Sequence, residues 1–172
     1  MKNYIKEGQK LPLFGIGPYL ISSVFLVTVI GVILSSYIFR IGILDGIWIW
    51  IFRITGALLI AGGIFVWYMG ALRSNMDEKI SENKLQTGGI YAYVRNPMYS
   101  GCWMIASGLG FMWHNLLILP IILITWVIIT IVLKNTEEKW LENLYGDEYR
   151  EYKKRVNRCI PWFPGKRFGI DR

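Results

Sequence analysis

The sequence predicts an all-α polytopic membrane protein with about four transmembrane helices. Over half of its 172 residues are hydrophobic, and they fall in long blocks rather than in the interrupted pattern of a soluble core. Residues 17–39 and 96–133 contain no Asp, Glu, Lys or Arg at all. Lys and Arg gather instead in alternate connecting segments, as the positive-inside rule requires. The length is about that of one domain.

The first block, 17–39, is long enough to cross a hydrocarbon core of ~30 Å as a helix. It follows a basic segment with Lys2, Lys6 and Lys10 and has no small-residue cleavage site after it. It therefore reads as an anchor rather than a signal peptide. A second span covers about 47–72, with a single charge, Arg53, near its outer end, where a long side chain snorkels to headgroups. The third block is too long for one helix across ~30 Å and slightly short for two. Trp113-His114-Asn115 is its natural break, so a tight hairpin is expected, with arms 98–113 and 116–133. Pro120 kinks the second arm or sits in its first turn. Beyond it Leu141, Leu144, Tyr145, Tyr149, Tyr152 and Val156 recur at helical spacing, interrupted by Gly146. Residues 160–164 then read as an interfacial plug.

The basic residues fix an orientation. The first loop has Arg40, the next has Arg73, Lys79, Lys84 and Arg95, the hairpin tip has none, and the tail after Leu133 has ten. An even number of spans with both termini and the 73–97 loop in the cytoplasm satisfies every loop. The expected organisation is one catalytic unit: an N-terminal helix pair over 1–72, then a loop, hairpin and cytoplasmic tail over 73–172. The net charge of +7, set among charge-free blocks and eight Trp, points to anionic headgroups rather than nucleic acid. Cys102 and Cys159 form no CxxC pair and His114 has no plausible co-ligand, so no metal site is expected.

The chemistry-bearing residues flank the hairpin. On one side lies Gly88-Gly89-Ile90-Tyr91-Ala92-Tyr93-Val94-Arg95-Asn96-Pro97-Met98-Tyr99-Ser100-Gly101, a glycine-framed polar segment; on the other lies Glu137-Glu138. A helical hairpin brings its ends together, so Arg95 and Asn96 should face Glu137 and Glu138. A cation opposite a carboxylate suits a zwitterionic amino acid. Tyr91 and Tyr99 add flat faces and hydroxyl donors for a heterocycle. Gly108-Leu109-Gly110, inside an apolar run, reads as helix packing rather than a nucleotide loop.

These segments together resemble the isoprenylcysteine carboxyl methyltransferase and phospholipid methyltransferase family of integral membrane enzymes. Residues 89–101 are similar to its G-x-Y-x-x-x-R-H/N-P-x-Y-x-G. The acidic pair with Tyr145-Gly146-Asp147-Glu148-Tyr149-Arg150-Glu151-Tyr152 and Val156 is similar to its E-E…F/Y-G-x-E-Y-x-x-Y-x-x-x-V. The likeness covers about residues 70–164. It implies S-adenosylmethionine as cofactor, held by Asn83, Lys84, Leu85, Gln86, Tyr91, Asn96, Pro97, Met98, Tyr99 and Glu137. It also implies a lipophilic acceptor arriving from the bilayer at a site facing the cytoplasm. Arg95 and Glu138 are the candidate catalytic residues. Glu138 or Tyr149 is the candidate base if the acceptor is an ammonium.

Two positions depart from the family pattern. Asn96 stands where a histidine is common and cannot titrate. Leu133 stands where prenylcysteine-specific members carry an arginine, with Lys134 beside it as the candidate substrate anchor. This argues against a prenylcysteine acceptor. The rival readings are an NADPH-dependent membrane reductase of the sterol-reductase type, with Lys153, Lys154 and Arg155 for the extra phosphate, and a non-catalytic membrane protein.

Overall fold

Charge-free blocks become helices because a chain in lipid must satisfy every backbone polar group internally. The computed structural model describes residues 16–73 and 84–163, so Lys2, Lys6, Lys10, Lys79, Asn83 and Pro164 lie outside the described residues. Helix α1 spans Gly17–Val32 and continues as a wider π turn over Ile33–Ile38. Helix α2 spans Ile47–Ala71, α3 Pro97–Phe111 and α4 Ile118–Asn135. Two short helices follow, α5 over Glu137–Tyr145 and α6 over Asp147–Arg155. The described residues contain isolated bridges but no strand. The architecture is all-α, and the boundaries expected from sequence hold to within about two residues.

Three helical stretches are long and apolar enough to cross a membrane: Gly17–Ile38, Ile47–Ala71 and the one beginning at Ile118. Helix α3 has 15 residues, a rise of roughly 22 Å at 1.5 Å per residue, and is shorter than a full span. Its neighbours cover it. A Cβ added to Gly63 would lie 2.7 Å from the Gly101 carbonyl oxygen, and one on Gly56 would lie 2.7 Å from that of Gly108. At the end of the pair, a Cβ on Gly70 would lie 2.7 Å from Pro97 Cγ. The glycines are spaced by sevens along both helices, which keeps them on one face and lets the antiparallel backbones of α2 and α3 touch. Gly108 therefore serves packing, as its apolar setting predicts.

Helix α1 closes the bundle against α3 and α4. Leu20, Val24, Tyr99, Ala106, Ile129, Leu133 and Cys159 form the principal core, and Val32, Phe52 and Ile118 form a second one toward the far end. Large apolar residues such as Trp50, Leu58, Phe65 and Leu123 are exposed, the pattern expected of helices whose outer solvent is hydrocarbon. Pro120 falls in the first turn of α4, where its missing N–H costs nothing.

The hairpin tip is held by Asn115, which is almost fully buried. Its amide donates to Ser36 Oγ and to the Ile41 carbonyl, both at 3.0 Å, and its Oδ1 accepts the Leu117 N–H at 2.9 Å. At the opposite end, Gly17 lies against the Tyr99 hydroxyl and Gly70 against Pro97. The start of α1, the end of α2, the start of α3 and the end of α4 thus share one end of the bundle, and the two polar clusters meet there. The tail divides at Gly146, whose φ of +56° is the left-handed region where glycine escapes the Cβ clash. Trp162 and Phe163 are 65% and 79% exposed, and their rings project outward.

The glycine contact between α2 and α3 yields a direct prediction. Gly101→Val should lower unfolding stability in detergent by about 1–3 kcal/mol or more, because the branch must push two backbones apart. Gly88→Ala, at a position with nothing within 4 Å of an added Cβ, should leave the unfolding midpoint nearly unchanged.

Candidate active site

The polar end is built from the loop before α3, the start of α5, helix α6 and an irregular strap after it. Pro97 opens α3 with its φ preset for the first turn. Just before it, a 3-10 turn over Gly89–Ala92 buries the Tyr91 ring. The Tyr91 hydroxyl reaches the Gly70 carbonyl at 3.5 Å, and its own carbonyl accepts the Tyr152 hydroxyl at 2.6 Å. Loop and tail are therefore stitched together beneath the ring of Tyr91.

The strap completes the stitching. The Arg95 N–H donates to the Asn157 carbonyl at 2.9 Å, and the Asn96 N–H and side-chain amide both donate to the Arg158 carbonyl at 3.2 Å. The Trp162 N–H donates to the Tyr93 carbonyl at 3.1 Å. Asn96 also accepts the Ser100 hydroxyl on its own carbonyl. The neutral side-chain amide donates at this joint without titrating.

The expectation that loop and acidic pair face each other holds, in direct contact. Arg95 Nη2 lies 3.0 Å from Glu138 Oε1, with both side chains buried. Arg158 grips the same carboxylate in bidentate fashion, Nε to Oε1 at 2.6 Å and Nη2 to Oε2 at 2.9 Å. This two-point grip raises the Arg158 pKa above its ordinary value, against the opposing effect of burial. Arg158 was missed in the sequence because it lies in an irregular, bent segment with no periodicity. The one available clue is that a buried Glu138 needs counter-charge beyond Arg95.

The neighbouring carboxylate is treated differently. Glu137 accepts a hydrogen bond from the Tyr99 hydroxyl and has no ion pair among the described residues. Leu85 packs on the cluster of Tyr149, Tyr152 and Val156, which brings the 84–86 segment to the same end. Lys84 is exposed, whereas Gln86 and Met98 are half-buried. Burial, reinforced by the charge of Glu138, pushes the Tyr149 phenol up, so its proton stays in place at neutral pH. That makes Tyr149 a poor candidate base. Lys134 is exposed, while its neighbour Leu133 is wholly buried in the core; the lysine thus stands apart from the buried cluster.

Comparison with known proteins agrees with this arrangement. The pattern of the phospholipid methyltransferase family matches residues 47–148, more than half of the sequence, and the chain belongs to that family. It is 37% identical over 84 residues to the protein-S-isoprenylcysteine O-methyltransferase of Schizosaccharomyces pombe, covering 48% of this chain and 35% of the relative. It is 34% identical over 79 residues to methanethiol S-methyltransferase 1 of Bradyrhizobium diazoefficiens, covering 46% and 27%. The human protein-S-isoprenylcysteine O-methyltransferase is 32% identical over 93 residues, covering 52% and 31%. The chain thus spans about a third of the length of the curated relatives it matches. No solved structure matches it.

The two-arginine grip on Glu138 sets an order of mutational cost. Glu138→Gln leaves the buried guanidinium of Arg95 and the half-buried one of Arg158 without their carboxylate and should cost about 3–5 kcal/mol of stability. Arg158→Met leaves Glu138 still paired with Arg95 and should cost clearly less. Denaturant unfolding in detergent of the two variants, with m-values compared, checks the order.

Proposed function

We propose that this protein is an S-adenosylmethionine-dependent methyltransferase that acts on a lipophilic acceptor at the cytoplasmic face of a membrane. The observation that carries the reading is the contrast between the two adjacent glutamates. Glu138 is saturated by two guanidiniums, whereas Glu137 is fixed by Tyr99 and keeps its charge free of any cation among the described residues. A positioned carboxylate without a counter-cation suits the ammonium of an amino acid.

The donor set fits the cofactor. Glu137 would take its ammonium and Tyr99 would hold Glu137 in place, while Tyr91, its ring buried, would serve by tying the loop to α2 and the tail. Lys84, Leu85 and Gln86 would border the site from the 84–86 segment, with Asn83 next to it in sequence. Asn96, Pro97 and Met98 form the wall that joins α3 to the strap. Arg95 and Glu138 act as positioning residues in this reading: their ion pair fastens the wall to the tail, and both oxygens of Glu138 are engaged. The bound cofactor supplies an electrophilic methyl group on a sulfonium. The protein's part is alignment and exclusion of water, and alignment of this kind contributes roughly 7–11 kcal/mol.

A greasy acceptor would have to part a closed seam to reach Tyr99. Leu20, Ile21, Val24, Cys102, Trp103 and Ile129 line an apolar seam between α1, α3 and α4 that includes the Tyr99 ring. Leu133 closes the neighbouring core with no charge, which disfavours a prenylcysteine carboxylate there. Lys134, on the exposed side, would serve an acceptor only at the bundle surface. Orientation rests on the Lys and Arg asymmetry, which assigns the polar end to the cytoplasm.

Incubation with methyl-labelled S-adenosylmethionine and total membrane extract, followed by mass spectrometry of labelled lipids, tests the activity; no labelled product from folded protein would refute it. Glu137→Gln should weaken cofactor affinity about ten- to a hundredfold, the cost of losing a hydrogen bond to a charged group. Calorimetric titration with S-adenosylhomocysteine measures it. Unchanged affinity would return Glu137 to an ordinary surface role, and tight binding of NADPH instead would favour the reductase reading.

A further inference from the structure

A second polar cavity lies on the other side of Arg95. It is a half-open hollow of about 330 Å³ between α4, α6 and the strap, lined by Arg95, Lys153, Arg158, Asn157, Trp126 and Thr130, with Val156, Cys159 and Ile160 completing it. None of the lining residues is acidic. Of the carboxylates that reach these cations, Glu138 is shared by Arg95 and Arg158, and Glu142 accepts from Lys153 at 3.0 Å. Glu142 is also bound by Arg150 at 3.2 Å. The trio of buried Arg95 and Glu138 with half-buried Arg158 therefore carries one positive charge beyond that of Glu138.

The donors repeat this imbalance. Arg95 is buried with its side chain 6% exposed, and its Nε and Nη1 have no hydrogen-bond partner. An unpaired cation and two unsatisfied donors at the edge of a low-dielectric slab are costly unless an anion joins them. The cavity wall at Trp126 and Thr130 continues onto the exposed apolar face of α4 at Val127 and Ile131. On the strap side it continues to exposed Ile160, Trp162 and Phe163.

We propose that this cavity is a binding site for the phosphate headgroup of an anionic phospholipid, with Arg95, Lys153 and Arg158 facing the phosphate and the acyl chains lying along Val127 and Ile131. A soluble phosphate would satisfy the charges but would leave the adjoining apolar faces unused, so the lipid is the better occupant. Such a lipid ties the strap to α4 and steadies the loop that carries Asn96 to Tyr99. Headgroup binding stands apart from methyl transfer and is readable without turnover.

Full-length protein is reconstituted in nanodiscs of phosphatidylcholine alone or mixed with phosphatidylglycerol, and bound lipid is counted by native mass spectrometry after release. Wild type should retain phosphatidylglycerol in preference to phosphatidylcholine and unfold at a higher temperature in the mixture. Lys153→Gln should reduce that preference about tenfold, the loss expected for one charge-assisted hydrogen bond. Asn157→Asp places a carboxylate inside the cavity; it should raise the unfolding temperature in phosphatidylcholine alone and remove the response to phosphatidylglycerol. Equal retention of the two lipids by folded wild type would overturn the site. Inorganic phosphate that reproduced the whole stabilisation in phosphatidylcholine would overturn the lipid assignment.

Discussion

Glu138 lies between the guanidiniums of Arg95 and Arg158, and each of its partners belongs to a different part of the chain. Arg95 comes from the loop that opens α3, Glu138 from the first turn of α5 and Arg158 from the strap beyond α6. One carboxylate thereby joins three segments that also meet through Cys159 in the principal core and Val156 in the cluster with Tyr149 and Tyr152. Around this contact, the backbone of Arg95 and Asn96 pairs with that of Asn157 and Arg158, and Tyr152 bonds to the Tyr91 carbonyl. If the carboxylate were lost, the remaining hydrogen bonds would have to hold the strap against two repelling cations. The site described here exists because that charge is present and fixed.

The membrane helices supply the frame for this joint. The glycine faces of α2 and α3 bring their backbones together, and the close approach ends where Gly70 meets Pro97. Pro97 starts α3, so the depth at which the loop begins is set by helix packing far from any polar atom. Asn115 does the equivalent work at the opposite end, where its bonds to Ser36 and Ile41 hold the hairpin tip against the end of the first span and the first loop, and its bond from Leu117 shapes the tip. A short α3 then has its ends fixed on both sides. Tyr99, one turn into α3, is carried to Glu137 by this geometry.

Much of this was legible in the sequence. The spans were readable because lipid excludes charge, so charge-free blocks report helix limits directly. The tail helices were readable from the spacing of Leu141, Tyr145, Tyr149 and Tyr152, and Gly146 marked their break. The meeting of Arg95 with Glu138 followed from hairpin geometry. What escaped was Arg158, because an irregular strap leaves no period to detect, and its partner is set by a fold that a linear pattern does not encode. In residues 160–163, Trp162 and Phe163 face outward beside Tyr93. The exposure of Lys134 follows from Leu133 taking the inward position in the last turn of α4.

The central claim is that the Glu138 contact holds the strap closed, and Cys159 is a natural reporter of it. Its thiol is buried in the core, and burial pushes its pKa up to about 12 despite the nearby arginines. Both factors make it inert to thiol reagents. Maleimide labelling of Cys159 in a Cys102→Ala background, followed over time in detergent, measures strap opening. The account predicts slow labelling in the otherwise native chain and labelling faster by an order of magnitude or more with Glu138→Gln, in protein that keeps its helical content. Equal rates in the two would contradict it.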